Sequence, residues 1–156
     1  IPLMPVLKFV VNEYKRIGYD FDQIWSILPC SPLISAEDLF AAEKLFLNSG
    51  KRTPILSISE YPAPIEWAFD MDPSLNLKPV NPGKFAVNSQ DLASRYYDTG
   101  NFAVFPTELI EESNTSGIDE GFLGYILPRN KAIDIDTNED WDFAESLFKL
   151  NRLSKN

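Results

Sequence analysis

The sequence has 156 residues, 44% hydrophobic and 13% aromatic, which is enough for one domain with a substantial core and too apolar for disorder. Acidic residues number 23 against 14 basic ones, and the formal net charge of −9 excludes a nucleic-acid backbone or an anionic membrane as the expected partner. Histidine is absent, which excludes Ser-His-Asp and Cys-His nucleophiles, histidine acid–base catalysis and histidine zinc sites together; catalysis must use carboxylates, hydroxyls, amides, Lys or Arg.

In chain order, Pro5 to Ile17 carries Leu7, Val10, Val11 and Tyr14 at helical spacing, with Gly18 as its C-cap. Gln23 to Leu28 is a short apolar run of the kind buried in a sheet, ended by Pro29-Cys30-Ser31-Pro32. The lone Cys30 excludes an internal disulfide and fits a reducing, cytoplasmic setting. Ser35 with Asp38 makes a capping box for a helix over Ala36 to Asn48, whose apolar stripe is Leu39, Phe40, Ala42, Leu45 and Phe46. Pro54 to Ser59 reads as the next strand. This alternation predicts an α/β fold, a doubly wound, mostly parallel sheet with ligands beyond the carboxyl ends of its strands.

From Glu60 to Tyr97 five prolines punctuate short extended pieces, one of them Ile65 to Asp70, and the pattern predicts a strand-rich insertion with a hairpin. A strand over Gly100 to Phe105, a short helix over Thr107 to Glu112, a polar loop over Ser113 to Gly117 and a strand over Gly121 to Leu127 follow. A last helix spans Asn138 to Leu150, with Trp141, Phe143, Ala144, Leu147, Phe148 and Leu150 for packing. No apolar run approaches the 18 residues or so that a membrane span requires, so no membrane contact is expected.

The chemistry is expected at Ala132-Ile133-Asp134-Ile135-Asp136-Thr137, read as a strand that ends in carboxylates. Residues two apart on a strand share a face at about 6.6 Å, so Asp134 and Asp136 project together while Ile133 and Ile135 face the core. That pair suits Mg²⁺, which takes one or two carboxylates alongside water and substrate phosphates. The competing local reading is that Asp134 merely ends the strand and Thr137 caps the helix with Asp140 in a Thr-x-x-Asp box.

Four segments in linear order resemble the nonulosonic acid cytidylyltransferases, the family of CMP-sialic acid synthetases and pseudaminic acid cytidylyltransferases. They are Leu28-Pro29-Cys30-Ser31-Pro32-Leu33 with Ser35 to Leu39 after it, Ser89-Gln90-Asp91-Leu92, Tyr97-Asp98-Thr99-Gly100-Asn101-Phe102, and Ala132 to Trp141. The resemblance implies a Rossmann-like nucleotidyltransferase fold, transfer of CMP from CTP to a nine-carbon acidic sugar with release of pyrophosphate, and a Mg²⁺ cofactor held by Asp134 and Asp136. It makes Gln90, Asp91 and Asp98 candidates for sugar hydroxyls or amides, Tyr97 and Phe102 an apolar wall, and Cys30 and Ser31 neighbours of the substrate. From the residues alone, Tyr97 and Phe102 read as core ahead of an apolar wall, Asp98 also as an Asx turn and Cys30 as a buried small hydrophobe.

The family opens with a strand and a basic, glycine-containing loop that grips CTP, and nothing before the first helix here supplies one. The resemblance therefore implies that residues 1–156 form one α/β domain equivalent to the later two-thirds of such an enzyme, impaired in CTP binding. It also implies a homodimer formed through the insertion at about 60–97. Two other readings stay open. One is a metal-dependent nucleotide-sugar glycosyltransferase using Asp134-Ile135-Asp136, although only one helix and a tail follow that motif. The other is a non-catalytic acidic interaction module, which would respond to neither metal nor nucleotide.

Overall fold

A computed structural model of the chain describes residues 2–115 and 117–153. In order, α1 spans Leu3–Arg16, β1 Gln23–Ile27, α2 Ala36–Asn48, β2 Ile55–Glu60, β3 Phe69–Met71, β4 Leu77–Pro79, β5 Tyr96–Pro106, α3 Thr107–Glu112, β6 Leu123–Ile126 and α4 Asn138–Leu153. The capping box of α2 forms as its sequence predicts: Ser35 N–H donates to Asp38 Oδ2 at 2.8 Å, and the Ser35 side chain accepts from the Asp38 backbone. Residues 113–115 and Gly117 are irregular, and Ser116 of the expected polar loop lies outside the described residues.

The main sheet has the order β1-β5-β2-β6. β5 is antiparallel to both β1 and β2, whereas β2 and β6 are parallel. The expected mostly parallel, doubly wound sheet is therefore corrected to a mixed α/β sheet in which two of the three pairings are antiparallel. The cause lies in the connection. The insertion leaves β2 at Glu60 and returns at Tyr96, which is the residue paired with Glu60, and Tyr61 N–H donates to the Arg95 carbonyl at 2.9 Å. A chain returning at the end it left from must run backwards, as in a hairpin. β1, β2 and β6 still share one direction, so Ile27, Glu60 and Ile126 end at the same edge of the sheet as the start of β5.

Alternation along the strands sorts apolar side chains to two faces. Phe102, Val104 and Ile55 pack with Ala42 and Phe46 of α2, and Trp25 leans on the same cluster. Ala103, Phe105, Ile24 and Leu56 pack on the other face against Met4, Leu7 and Val11 of α1 and Ile110 of α3. Helices thus cover both faces of the sheet.

Three details differ from the sequence reading. Ile65–Trp67 is a turn of 3₁₀ helix, so the expected extended run over Ile65 to Asp70 holds only at β3, which pairs with β4 in the expected hairpin. The carboxylate-bearing segment before α4 is irregular and joins no ladder. Finally, Phe40 of α2 and Trp141 and Phe143 of α4 are exposed, while Phe46 and Ala144 carry the burial on those helices.

Phe46 is fully buried and Phe40 is 69% exposed on the same helix. Phe46→Ala should therefore cost about 3–5 kcal/mol and Phe40→Ala no more than about 0.5 kcal/mol, measured by urea unfolding.

Candidate active site

At the edge where β1, β2 and β6 end, the β2–β5 ladder breaks. Leu56 pairs with Ala103 but Ile58 pairs with Asp98, so two steps along β2 face five along β5. Thr99-Gly100-Asn101-Phe102 thus face Ser57 alone, three residues in excess, and the chain bulges there, a device that re-aims chain and side chains. Hydroxyls absorb the lost ladder bonds: Phe102 N–H donates to Ser57 Oγ at 3.0 Å, and Thr99 Oγ1 donates to Ser57 Oγ at 2.8 Å. Ser57, Thr99 and Asn101 are all buried, where polar groups need such partners, and of their side-chain atoms Asn101 Oδ1 has none.

Gly100 sits at the crest with φ +65°, a conformation that disfavours any Cβ. A Cβ built there would lie 3.0 Å from Asp134 Oδ2, so the glycine leaves room for that carboxylate. The next residue, Asn101, is fully buried, and its Nδ2 donates to Ser31 Oγ at 3.0 Å and to the Ile133 carbonyl at 3.2 Å. Ser31 Oγ in turn donates to the Asn101 carbonyl at 3.1 Å. The bulge thereby ties the loop after β1 to the residue preceding Asp134.

Although 132–136 is no strand, its burial alternates: Ala132 is buried, Ile133 and Ile135 are half-buried, and Asp134 and Asp136 are exposed. Neither aspartate has an ion-pair partner among the described residues. Thr137 and Asp140 also form the expected capping box, with Thr137 N–H donating to Asp140 Oδ2 at 2.9 Å and Asp140 N–H to Thr137 Oγ1 at 3.2 Å. Bonds from the Thr137 hydroxyl and backbone hold the Asp140 carboxyl below its ordinary value. Asp140 therefore serves the helix, and Asp134 and Asp136 remain available.

Among the described residues no three His, Cys, Asp or Glu side chains group into a complete metal cage. Mg²⁺ does not need one, because it keeps several waters and binds through one or two carboxylates plus phosphate oxygens. Two exposed aspartates, one against a space that a Cβ would fill, fit that donor set.

The other candidates separate into two groups. Asp98 lies at the bulge and accepts from Gly100 N–H at 2.9 Å in an Asx turn, and a largely apolar cavity of about 200 Å³ opens beside Asp98, Gly100 and Leu28. Phe102 borders that cavity but is 98% buried, with its ring 5.8 Å from those of Trp25 and Tyr125. Tyr97 is half-buried against Tyr61 at 5.1 Å, and Cys30 is a partly buried free thiol beside Ser31. Gln90 and Asp91, by contrast, sit exposed on a 3₁₀ turn inside the insertion, where Asp91 accepts from Asn88.

Sequence reasoning missed two further groups. Asn101 falls within the expected strand over Gly100 to Phe105, where the sequence assigns it no role of its own, and only the bulge shows what it bonds. Asp38 reads as a cap, yet Oδ2 also accepts from Lys131 Nζ at 2.6 Å and Oδ1 from the Tyr125 hydroxyl at 3.2 Å. Burial by itself pushes the Asp38 carboxyl up, but the bonds from Lys131 and Ser35 outweigh it and hold the group below its ordinary value. Tyr125 is pushed up by burial and by the facing Asp38 charge.

Gly100→Ala should destabilise the fold by about 1–2 kcal/mol, since a left-handed conformation is imposed on an L side chain that also meets Asp134; chemical unfolding measures it. For Asp38 the folded value lies below the ordinary 3.8, so its contribution to stability is present above that pH and is lost as pH falls through the folded value. The stability gap between wild type and Asp38→Asn, taken from urea unfolding across pH, should accordingly be full at pH 6–7 and shrink below about pH 4.

No family model matches the chain. It is 27% identical over 140 residues to the pseudaminic acid cytidylyltransferases of Campylobacter jejuni subsp. jejuni serotypes O:2 and O:23/36, covering 86% of this chain and 57% of each relative. The chain thus spans little more than half the length of the curated relatives it matches. Similarity over most of its own length bears out the resemblance of this chain to the nonulosonic acid cytidylyltransferase family.

Proposed function

We propose that these residues form the metal- and sugar-binding part of a cytidylyltransferase that passes CMP from CTP to a nonulosonic acid of the pseudaminic acid type. One observation carries the reading. Asp134 and Asp136 are exposed and unpaired with any cation among the described residues, and Asp134 lies against Gly100 of the bulge, at the edge where β1, β2 and β6 end. The similarity to pseudaminic acid cytidylyltransferases supports it.

In the reaction the anomeric hydroxyl oxygen of the sugar bonds to the α-phosphorus of CTP and gives up its proton to solvent, and the bond from that phosphorus to the pyrophosphate oxygen breaks, releasing pyrophosphate. Mg²⁺ supplies charge neutralisation between the triphosphate and the sugar carboxylate. Asp134 and Asp136 would hold it. The cavity beside Asp98 and Phe102 accepts the apolar face of the sugar, Tyr97 adds apolar surface next to Asp98 in the chain, and Gln90 and Asp91 reach sugar hydroxyls or amides from the insertion. These residues contain no basic glycine loop, so the grip on the CTP phosphates is assigned to other residues, and CTP binding by 1–156 alone is expected to be weak. The nucleotide substrate and the single free thiol fit a cytoplasmic setting.

The insertion also fits a homodimer contact. Trp67, Phe69 and Phe85 cluster edge to face, while the cross-strand pair Met71 and Leu77 is 64% and 60% exposed. Apolar surface on so small a hairpin is suited to a second subunit.

Asp136→Ala should lower Mg²⁺-dependent pyrophosphate release by about 10²-fold or more with the fold intact, and Asp134→Ala should act in the same way though less. Wild-type rates across a Mg²⁺ titration in either variant would remove that aspartate from the metal site. For the dimer, Met71→Lys with Leu77→Lys should halve the mass measured by light scattering while leaving the circular dichroism unchanged.

A further inference from the structure

Asp134 and Asp136 lie on a segment that no strand pairing holds, yet a metal site needs its ligands fixed to within about half an ångström. Something other than a ladder must fix them. Immediately before them, Lys131 crosses to Asp38, a residue 93 positions away in sequence, in the most buried ion pair among the described residues. The side chains of Lys131 and Asp38 are 25% and 8% exposed.

A capping box does not require this arrangement. The box needs only the reciprocal bonds between Ser35 and Asp38, and the equivalent aspartate of α4, Asp140, makes them with Thr137 and no cationic partner among the described residues. Burying a carboxylate and an ammonium also adds little net stability, because desolvation offsets their attraction. What the pair does supply is position. Lys131 is donated by the same short stretch that carries the two aspartates, and the Lys131 N–H bond to the Pro128 carbonyl at 2.8 Å leaves that stretch little slack.

We infer that the Asp38–Lys131 ion pair is a positioning device for the metal-binding aspartates, fixing the unpaired segment 132–136 to the N-terminus of α2. Asp38 and Lys131 act through Asp134 and Asp136 and do not touch the metal themselves. The inference rests on the metal role proposed above.

The test uses the intact protein and Mn²⁺ as an EPR-visible probe, with no turnover required. Lys131→Met alone strands a buried carboxylate and can unfold the chain, so the decisive variant is Asp38→Asn with Lys131→Met, which removes both charges together. Ser35→Ala, which removes the Ser35 hydroxyl bonds to the Asp38 backbone, Asp38 Oδ2 and Lys131 Nζ but leaves both charges of the ion pair, is the control, and Lys131→Arg is the conservative rescue. In the double variant, amide exchange at Ile133 and Asp134 should quicken and Mn²⁺ affinity should fall about tenfold, the usual cost of losing support behind a metal ligand. Ser35→Ala and Lys131→Arg should stay within about twofold of wild type. A folded double variant with wild-type exchange and wild-type Mn²⁺ affinity overturns the inference. Mn²⁺ binding that survives Asp134→Asn combined with Asp136→Asn instead overturns the proposed metal site, and the inference with it.

Discussion

The geometry of the candidate site depends on one packing constraint, the bulge that β5 must make between Asp98 and Ala103 to run antiparallel beside β2. A strand entering the sheet from an insertion cannot stay in register where four residues face one, so the excess chain leaves the ladder and its polar groups need other partners. Ser57, Thr99, Asn101 and Ser31 are those partners, and because they are buried they specify a single arrangement. Gly100 then faces Asp134 across a gap no side chain fills, and Asn101 bonds the carbonyl of Ile133. The polar stripe that repairs the sheet is also what brings the loop after β1 and the acidic segment together.

Electrostatics sets the second constraint. A chain with a formal net charge of −9 repels a triphosphate and a sugar acid alike. At Asp38 and Asp22 a lysine, and at Asp140 the Thr137 hydroxyl and backbone, hold the carboxyl below its ordinary value, and those bonds commit these three groups to structure. Asp134 and Asp136 lack a cationic partner among the described residues and are exposed. A hydrated dication would reverse the sign of the local field and let two anionic substrates meet.

How much of this was legible in the sequence follows from the range of each interaction. The start of α2 could be read because its signals, Ser35 and Asp38, lie within one turn of each other. The pairing of β5 could not, since Gly100 to Phe105 reads the same in either direction and only the closure of the insertion at Glu60 and Tyr96 decides it. The exposure of Asp134 and Asp136 was readable from alternation with Ile133 and Ile135, but the segment keeps that alternation without joining a strand. Phe40 and Trp141 fit apolar stripes and still face outward, because periodicity shows which residues share a face and not what covers it. The link from Asp38 to Lys131 spans 93 residues and leaves no local trace.

The most direct test of the account is the anomalous scattering of Mn²⁺ in crystals of the intact protein grown with CTP. The account predicts a peak coordinated by the carboxylates of Asp134 and Asp136 and by phosphate oxygens, at the edge where β1, β2 and β6 end. A peak elsewhere, or none beside those aspartates with CTP clearly bound, would contradict it.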